Sequence, residues 1–125
     1  MTADATIYVV DRLKDMYISG GENVYPAEVE DVIDSFDEVS QSAVVGIPDP
    51  RWGEVGGAFV QLRGGCELSA AQVLQRCNER LARFKVPRYV SFVERLPLSP
   101  QGKVLKHELR RLSAQGRYWN AQVPP

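Results

Sequence analysis

Glycine, proline and other turn formers punctuate this chain into short apolar runs, and the order of those runs indicates the fold class. Ser19-Gly20-Gly21-Glu22-Asn23 is a dense cluster of turn formers directly behind the β-prone run Met16-Tyr17-Ile18. An earlier β-prone run, Ile7-Tyr8-Val9-Val10, stops at the charged Asp11-Arg12-Leu13-Lys14-Asp15. Pro26 suits a first helical position, where a missing N–H costs nothing. Glu28, Glu30 and Asp31 behind it put negative charge near the positive end of the helix dipole. Val29, Val32, Ile33 and Phe36 recur at i, i+3, i+4 and i+7, which predicts a helix over about 26–36.

The rest of the chain repeats this grammar. Ala43 to Ile47 reads as a buried strand stopped by Pro48-Asp49-Pro50, and Gly57 to Leu62 as its partner, with Arg51-Trp52-Gly53-Glu54 in the loop between. Ser69-Ala70-Ala71-Gln72 is a capping-box pattern that opens a second helix. Val73, Leu74, Cys77 and Leu81 form its apolar stripe. Pro87 closes that region, Tyr89 to Val93 reads as a last strand, and Leu96 to Lys103 reads as an extended loop. A short basic helix follows from about 104 to 112. The order β, β, α, β, β, α, β, α predicts an α+β domain: a small mixed β-sheet flanked by helices and preceded by a short β-hairpin.

Composition narrows the function. A length of 125 residues suits one domain, with a core large enough to need no metal or disulfide staple. Fifteen Lys+Arg against 16 Asp+Glu gives a net charge of -1, which argues against a nucleic-acid or anionic-membrane specialist. Cys66 and Cys77 fit neither a disulfide framework nor paired metal-ligand spacing, so a reducing cytoplasm is expected. No apolar run approaches the roughly 20 residues of a membrane span, and Met1 to Ala5 lacks the basic start of a signal peptide. The stand-alone phosphate motifs G-x-x-x-x-G-K-[ST] and G-x-G-x-x-G are missing. A chain this short has little room for two substrates and a nucleotide pocket, so ATP chemistry would be shared with other residues.

Single residues carry weak signals. Gly20-Gly21 either permits close backbone approach to a ligand or makes a tight turn, the commoner case. Lys103 behind Gly102 is a flexible cation suited to a developing phosphate charge, or a solvated lysine before a basic helix. His107, the one histidine, has no nucleophile context and reads as a surface residue. Glu28, Glu30, Asp31 and Asp34 could suggest a metal; helix-dipole complementarity explains them more simply, and no metal site is expected. Lys103, Lys106, Arg110 and Arg111 read as a solvated helix face before they read as a nucleic-acid patch.

The order of these signals is more specific than any of them. Asp11 to Glu30, with Ser19-Gly20-Gly21-Glu22-Asn23-Val24-Tyr25-Pro26 at its centre, resembles the hinge segment of the acid–CoA ligases, which belong to the adenylate-forming enzymes. Val44-Val45-Gly46-Ile47-Pro48-Asp49 with Trp52-Gly53-Glu54, then Phe84-Lys85-Val86-Pro87, then Leu96-Pro97-Leu98-Ser99-Pro100-Gln101-Gly102-Lys103, resemble that family's following segments in register. Residues 7 to about 111 are covered.

The resemblance implies that residues 11–112 are a C-terminal lid domain, 1–10 the end of a missing N-terminal adenylation domain, and 113–125 a tail. It implies ATP with Mg and CoA as ligands of the whole enzyme, none held stably by the lid alone, and a small carboxylic acid as substrate. Lys103 matches the catalytic lysine of adenylation, Arg12 the contact to the AMP ribose, and Lys14 the hinge. Ser19, Gly20 and Gly21 match the turn that flanks the CoA tunnel, and Lys85 and Arg88 are candidate contacts to CoA phosphates. Ser19 to Pro26 looks more like bacterial fatty-acyl or aryl acid–CoA ligases than peptide-synthetase adenylation domains, which favours CoA as acceptor and a role such as fatty acid metabolism. The alternative is a free-standing lid-like module that binds or regulates without catalysis.

Overall fold

A computed structural model describes residues 16–113 and 121–122. Two short strands open it, β1 (Tyr17–Ser19) and β2 (Glu22–Val24), paired antiparallel with Ser19 opposite Glu22. Gly20 and Gly21 make the two-residue turn at φ 59° and 86°. Two successive positive φ values are what a tight hairpin turn of matching twist demands, and glycine meets them without strain. The expected hairpin is thus present, although Glu22 and Asn23 belong to its second strand and not to the turn. The Ile7 to Val10 run, Arg12 and Lys14 lie outside the described residues.

Helix α1 (Pro26–Asp34) follows, with proline in its first turn and Glu28 among its first acidic residues. Strands β3 (Val39–Asp49) and β4 (Gly53–Leu62) then form a long antiparallel pair. Both run further than the sequence pattern suggested. Pro48 does not stop β3, because among the described strands β3 pairs only with β4 and a proline lacking an N–H is tolerated on such an edge strand. Helix α2 (Ala70–Arg80) is the crossover that lets β5 (Tyr89–Val93) run parallel to β4, pairing Gly57 with Tyr89 through Gln61 with Val93. A 3-10 turn, Arg83–Lys85, separates α2 from β5. Helix α3 (Lys106–Ser113) and strand β6 (Ala121–Gln122), the latter within the expected tail, complete the described chain. β6 pairs antiparallel with β5. The sheet is therefore mixed, in the order β2-β1-β4-β5-β6, with β3 on the other side of β4.

Period-two alternation along β3 and β4 feeds two cores. Val44, Ala58, Val60 and Val90 face α1 and α2, where Val29, Ile33, Val73 and Cys77 close the layer. Ala43, Val45 and Phe59 point the opposite way and pack under Leu96 and Leu109. Burial pushes the Cys77 thiol up to about 12, so Cys77 is a core residue and not a nucleophile. No helix among the described residues is long and apolar enough to cross a membrane.

The capping box of α2 forms as its sequence requires. Gln72 N–H donates to Ser69 Oγ at 3.1 Å, and Ser69 N–H donates to Gln72 Oε1 at 2.9 Å. Ser69→Ala is expected to lower stability by about 1 kcal/mol, read as a shifted urea midpoint at unchanged m-value.

The acidic residues of α1 correct a sequence expectation. Glu30 and Asp34, one turn apart, converge on the outer edge of β3. Glu30 Oε2 accepts the Val44 N–H at 2.8 Å, and Ser42 Oγ donates to Asp34 Oδ1 at 2.8 Å. Partial burial pushes the Asp34 carboxyl up, and the Ser42 bonds pull it back. These carboxylates do more than complement a dipole. They satisfy and cover a strand edge that would otherwise be open to pairing.

Candidate functional site

The hairpin turn does not project freely; it lies against the start of β4. Gly20 N–H donates to the Trp52 carbonyl at 2.9 Å. A Cβ at Gly20 would stand 3.0 Å from Trp52 Cε3, so only glycine lets the turn rest on the indole. Trp52 is held by its own turn, in which Asp49 Oδ1 accepts the N–H groups of Arg51 at 2.8 Å and Trp52 at 2.9 Å. The guanidinium carbons of Arg51 and Arg88 lie 5.3 and 5.2 Å from the indole ring centre, within cation–π range. Arg88 is pinned at its backbone, where its N–H donates to the Gly56 carbonyl at 2.8 Å.

These contacts frame a cleft of about 310 Å³ whose lining includes Ser19, Gly20, Trp52, Arg83, Phe84 and Arg88. Phe84 is an exposed aromatic at 38%. Lys85 stands beside it, its ammonium 5.6 Å from the Phe84 ring centre and 3.0 Å from the Glu28 carboxylate. Two aromatic faces beside two guanidinium groups form a surface suited to a flat base carrying phosphates.

The floor of the cleft depends on Tyr17. Its ring spans the glycines Gly46 and Gly56, which are partners across β3 and β4. Burial, with the Glu54 charge adding to it, holds the Tyr17 phenol well above its ordinary range, so it stays neutral. Tyr17 locks the hairpin onto the sheet.

Lys103 occupies a second location, on the turn between β5 and α3. This segment is a compact hairpin, not the extended loop its prolines suggested. Leu98 and Val104 form an antiparallel bridge. Ser99 N–H donates to the Lys103 carbonyl and Gly102 N–H to the Ser99 carbonyl, each at 2.8 Å. Lys103 N–H donates to Ser99 Oγ at 3.2 Å. Its side chain is exposed, on a turn whose backbone is fixed.

Of the residues singled out from sequence, Ser19, Gly20 and Arg88 come together in the cleft, and Gly21 completes its turn. Lys85 sits next to the cleft on Glu28, and Lys103 is not among the lining residues. Arg12 and Lys14 lie outside the described residues. His107 is exposed at 71%. Among the described residues no group of three or more His, Cys, Asp or Glu could hold a metal ion. Sequence reading missed Trp52, Phe84 and Arg83 as cleft residues. The available signal was an aromatic beside a cation in two separate turns, Arg51-Trp52 and Phe84-Lys85.

Known proteins resemble this chain over most of its length. The chain is 58% identical over 102 residues to a 3-[(3aS,4S,7aS)-7a-methyl-1,5-dioxo-octahydro-1H-inden-4-yl]propanoyl:CoA ligase of Rhodococcus jostii (strain RHA1), covering 82% of this chain and 20% of the relative. It is 52% identical over 108 residues to a feruloyl-CoA synthase of an Amycolatopsis species, covering 86% and 22%. A solved Mycobacterium tuberculosis fatty acyl CoA synthetase superposes with a TM-score of 0.78 at 50% identity, over 84% of this chain and 21% of that one. The chain thus spans about a fifth of the length of these relatives. Residues 28–103 match the profile of the AMP-binding enzyme C-terminal domain, and the chain belongs to that family.

Proposed function

We propose that this chain is the C-terminal lid, residues 11–112, of an ATP-dependent acid–CoA ligase. The reaction joins a small carboxylic acid to CoA. First, a carboxylate oxygen attacks the α-phosphorus of Mg-bound ATP, and pyrophosphate leaves with its electron pair. Then the CoA sulfur, having lost its proton, attacks the acyl carbon, and AMP leaves. The ATP and acid pockets belong to an N-terminal adenylation domain. The observation that carries this reading is the cleft: glycine backbone against an indole, with aromatic and cationic walls, in a chain whose relatives are CoA ligases.

Each residue then has a task. Lys103 supplies positive charge where negative charge grows on the phosphate oxygens during adenylation. Arg12 contacts the AMP ribose, and Lys14 is the hinge at which the lid turns between the half-reactions. After that rotation Ser19, Gly20 and Gly21 flank the pantetheine arm of CoA. Trp52 and Phe84 offer ring faces to its base. Arg88 meets its phosphates, and Lys85 trades Glu28 for the same anion. The reaction is cytoplasmic, where ATP and CoA are supplied and the free thiols of Cys66 and Cys77 persist.

The test is a chimera in which this chain replaces the matching 102 residues of the Rhodococcus ligase. The chimera is expected to form the thioester, with the unfused chain as an inactive control. Trp52→Ala in it should raise the KM for CoA about tenfold, the size of one lost base–aromatic stack. Pyrophosphate exchange should stay within about twofold of the parent. A folded chimera that makes no thioester, or a Trp52→Ala variant with unchanged KM for CoA, counts against the proposal, the first in favour of a non-catalytic binding module.

A further inference from the structure

Helix α3 starts three residues after Lys103, and its first residue is tied into the sheet. The Lys106 ammonium lies 2.7 Å from Glu30 Oε2, with the two side chains only 15% and 17% exposed. The same oxygen accepts the Val44 N–H at 2.8 Å. One carboxylate oxygen therefore joins α1, the outer edge of β3 and the root of the Lys103 turn. This corrects the reading of Lys106 as part of a solvated basic face. Arg111, by contrast, is exposed and reaches Glu108 of its own helix at 2.7 Å.

The other root of the turn is Leu96, which is 1% exposed and whose N–H donates to Gln61 Oε1 at 3.1 Å. Between the two roots the turn is closed on itself by the Leu98–Val104 bridge, and Leu105 N–H donates to the Pro97 carbonyl at 2.9 Å. Backbone bonds thus set the shape of the turn. Its pose over the sheet is set at Leu96 and at Lys106. A largely buried pair is little screened by salt, and removing one partner leaves a charge that the site was built to balance.

We infer that Lys106 is a positioning residue for adenylation: held by Glu30, it fixes the root of the turn so that the Lys103 ammonium meets the phosphate at a set distance. The inference rests on the role proposed above for Lys103. Positioning matters because a displacement on the order of 1 Å of a catalytic group can cost up to about a hundredfold in rate.

In the chimera, Lys106→Met is expected to lower kcat for pyrophosphate exchange about tenfold. The KM for ATP and thioester formation from supplied acyl-adenylate should stay within about twofold of the parent, since neither uses the Lys103 pose. Lys106→Arg keeps charge and reach and should return exchange to within about threefold. Glu30→Gln keeps an oxygen for the Val44 N–H but loses the charge, and should reproduce the methionine defect; it carries the test if Lys106→Met does not fold. Exchange within twofold of the parent in both variants, equal loss in both half-reactions, or an arginine variant no better than methionine overturns the inference. Lys103→Ala in the same chimera separates the two ideas. If it leaves exchange intact, the role of Lys103 falls. If it abolishes exchange while Lys106→Met is silent, only the positioning role falls.

Discussion

Lys103→Ala in the ligase chimera is expected to lower pyrophosphate exchange about 100- to 1,000-fold while leaving thioester formation from supplied acyl-adenylate within about threefold. The magnitude is that of removing one donor aimed at a developing oxyanion. The asymmetry follows from the two half-reactions. Negative charge grows on phosphate oxygens in the first and on the acyl oxygen in the second, and one turn cannot serve both at once. The structure makes the experiment clean. Lys103 is exposed and its turn is closed by backbone bonds to Ser99, so truncation leaves both cores intact and should change stability by less than about 0.5 kcal/mol. Lys103→Arg should recover only part of the rate, because a planar fork does not reproduce a compact point charge on the same turn. Equal loss in both half-reactions, or a loss matched by lowered stability, would count against a catalytic role.

Local rules made much of this fold legible before any coordinates. Pro26 with the Val29, Val32, Ile33 stripe specified the start and buried face of α1, which ends at Asp34 short of the expected Phe36, and the Ser69–Gln72 box specified the start of α2 to the residue. Both depend on neighbours within a few positions, which sequence displays. The failures share a cause of the opposite kind. Pro48 stays in a strand because β3 is an edge, and edge status is a property of the finished sheet. Glu22 and Asn23 pair with Ser19 and Ile18 because two glycines suffice for the turn. Leu96 to Lys103 folds back because Leu98 finds Val104, a pairing that no periodicity announces in so short a segment.

The candidate site divides the same way. Ser19 and Gly20 stand in one motif string, Arg88 directly follows another, and all three line the cleft. Trp52 and Phe84 also stand in such strings, but with Arg83 they come from different turns and acquire a shared face only in the folded domain. Glu30 and Lys106 are 76 positions apart in the chain by their own numbers. Each looked like an ordinary surface charge until α1 and α3 met at the edge of β3.

Gly56→Ala is expected to destabilise the domain by about 2 kcal/mol, although alanine is normally the better strand residue by about 0.5–1 kcal/mol. The reason is Tyr17. A Cβ at Gly56 would run into the Tyr17 hydroxyl oxygen and stand 3.3 Å from Pro87 Cα, and one at its partner Gly46 would stand 2.8 Å from Tyr17 Cβ. The tyrosine is only 3% exposed and has no free direction in which to move. Because the collision is with the hydroxyl, the remedy is specific: Tyr17→Phe should restore more than half of the loss in the Gly56→Ala background. Urea unfolding of the four proteins in that double-mutant cycle gives the coupling directly. Gly56 also lines the cleft and Tyr17 anchors the turn that covers Trp52. The alanine variant should therefore also raise the KM for CoA in the chimera, and the phenylalanine substitution should lower it again. A neutral Gly56→Ala, or a loss that Tyr17→Phe leaves untouched, would show that the glycine pair is not there to seat the ring.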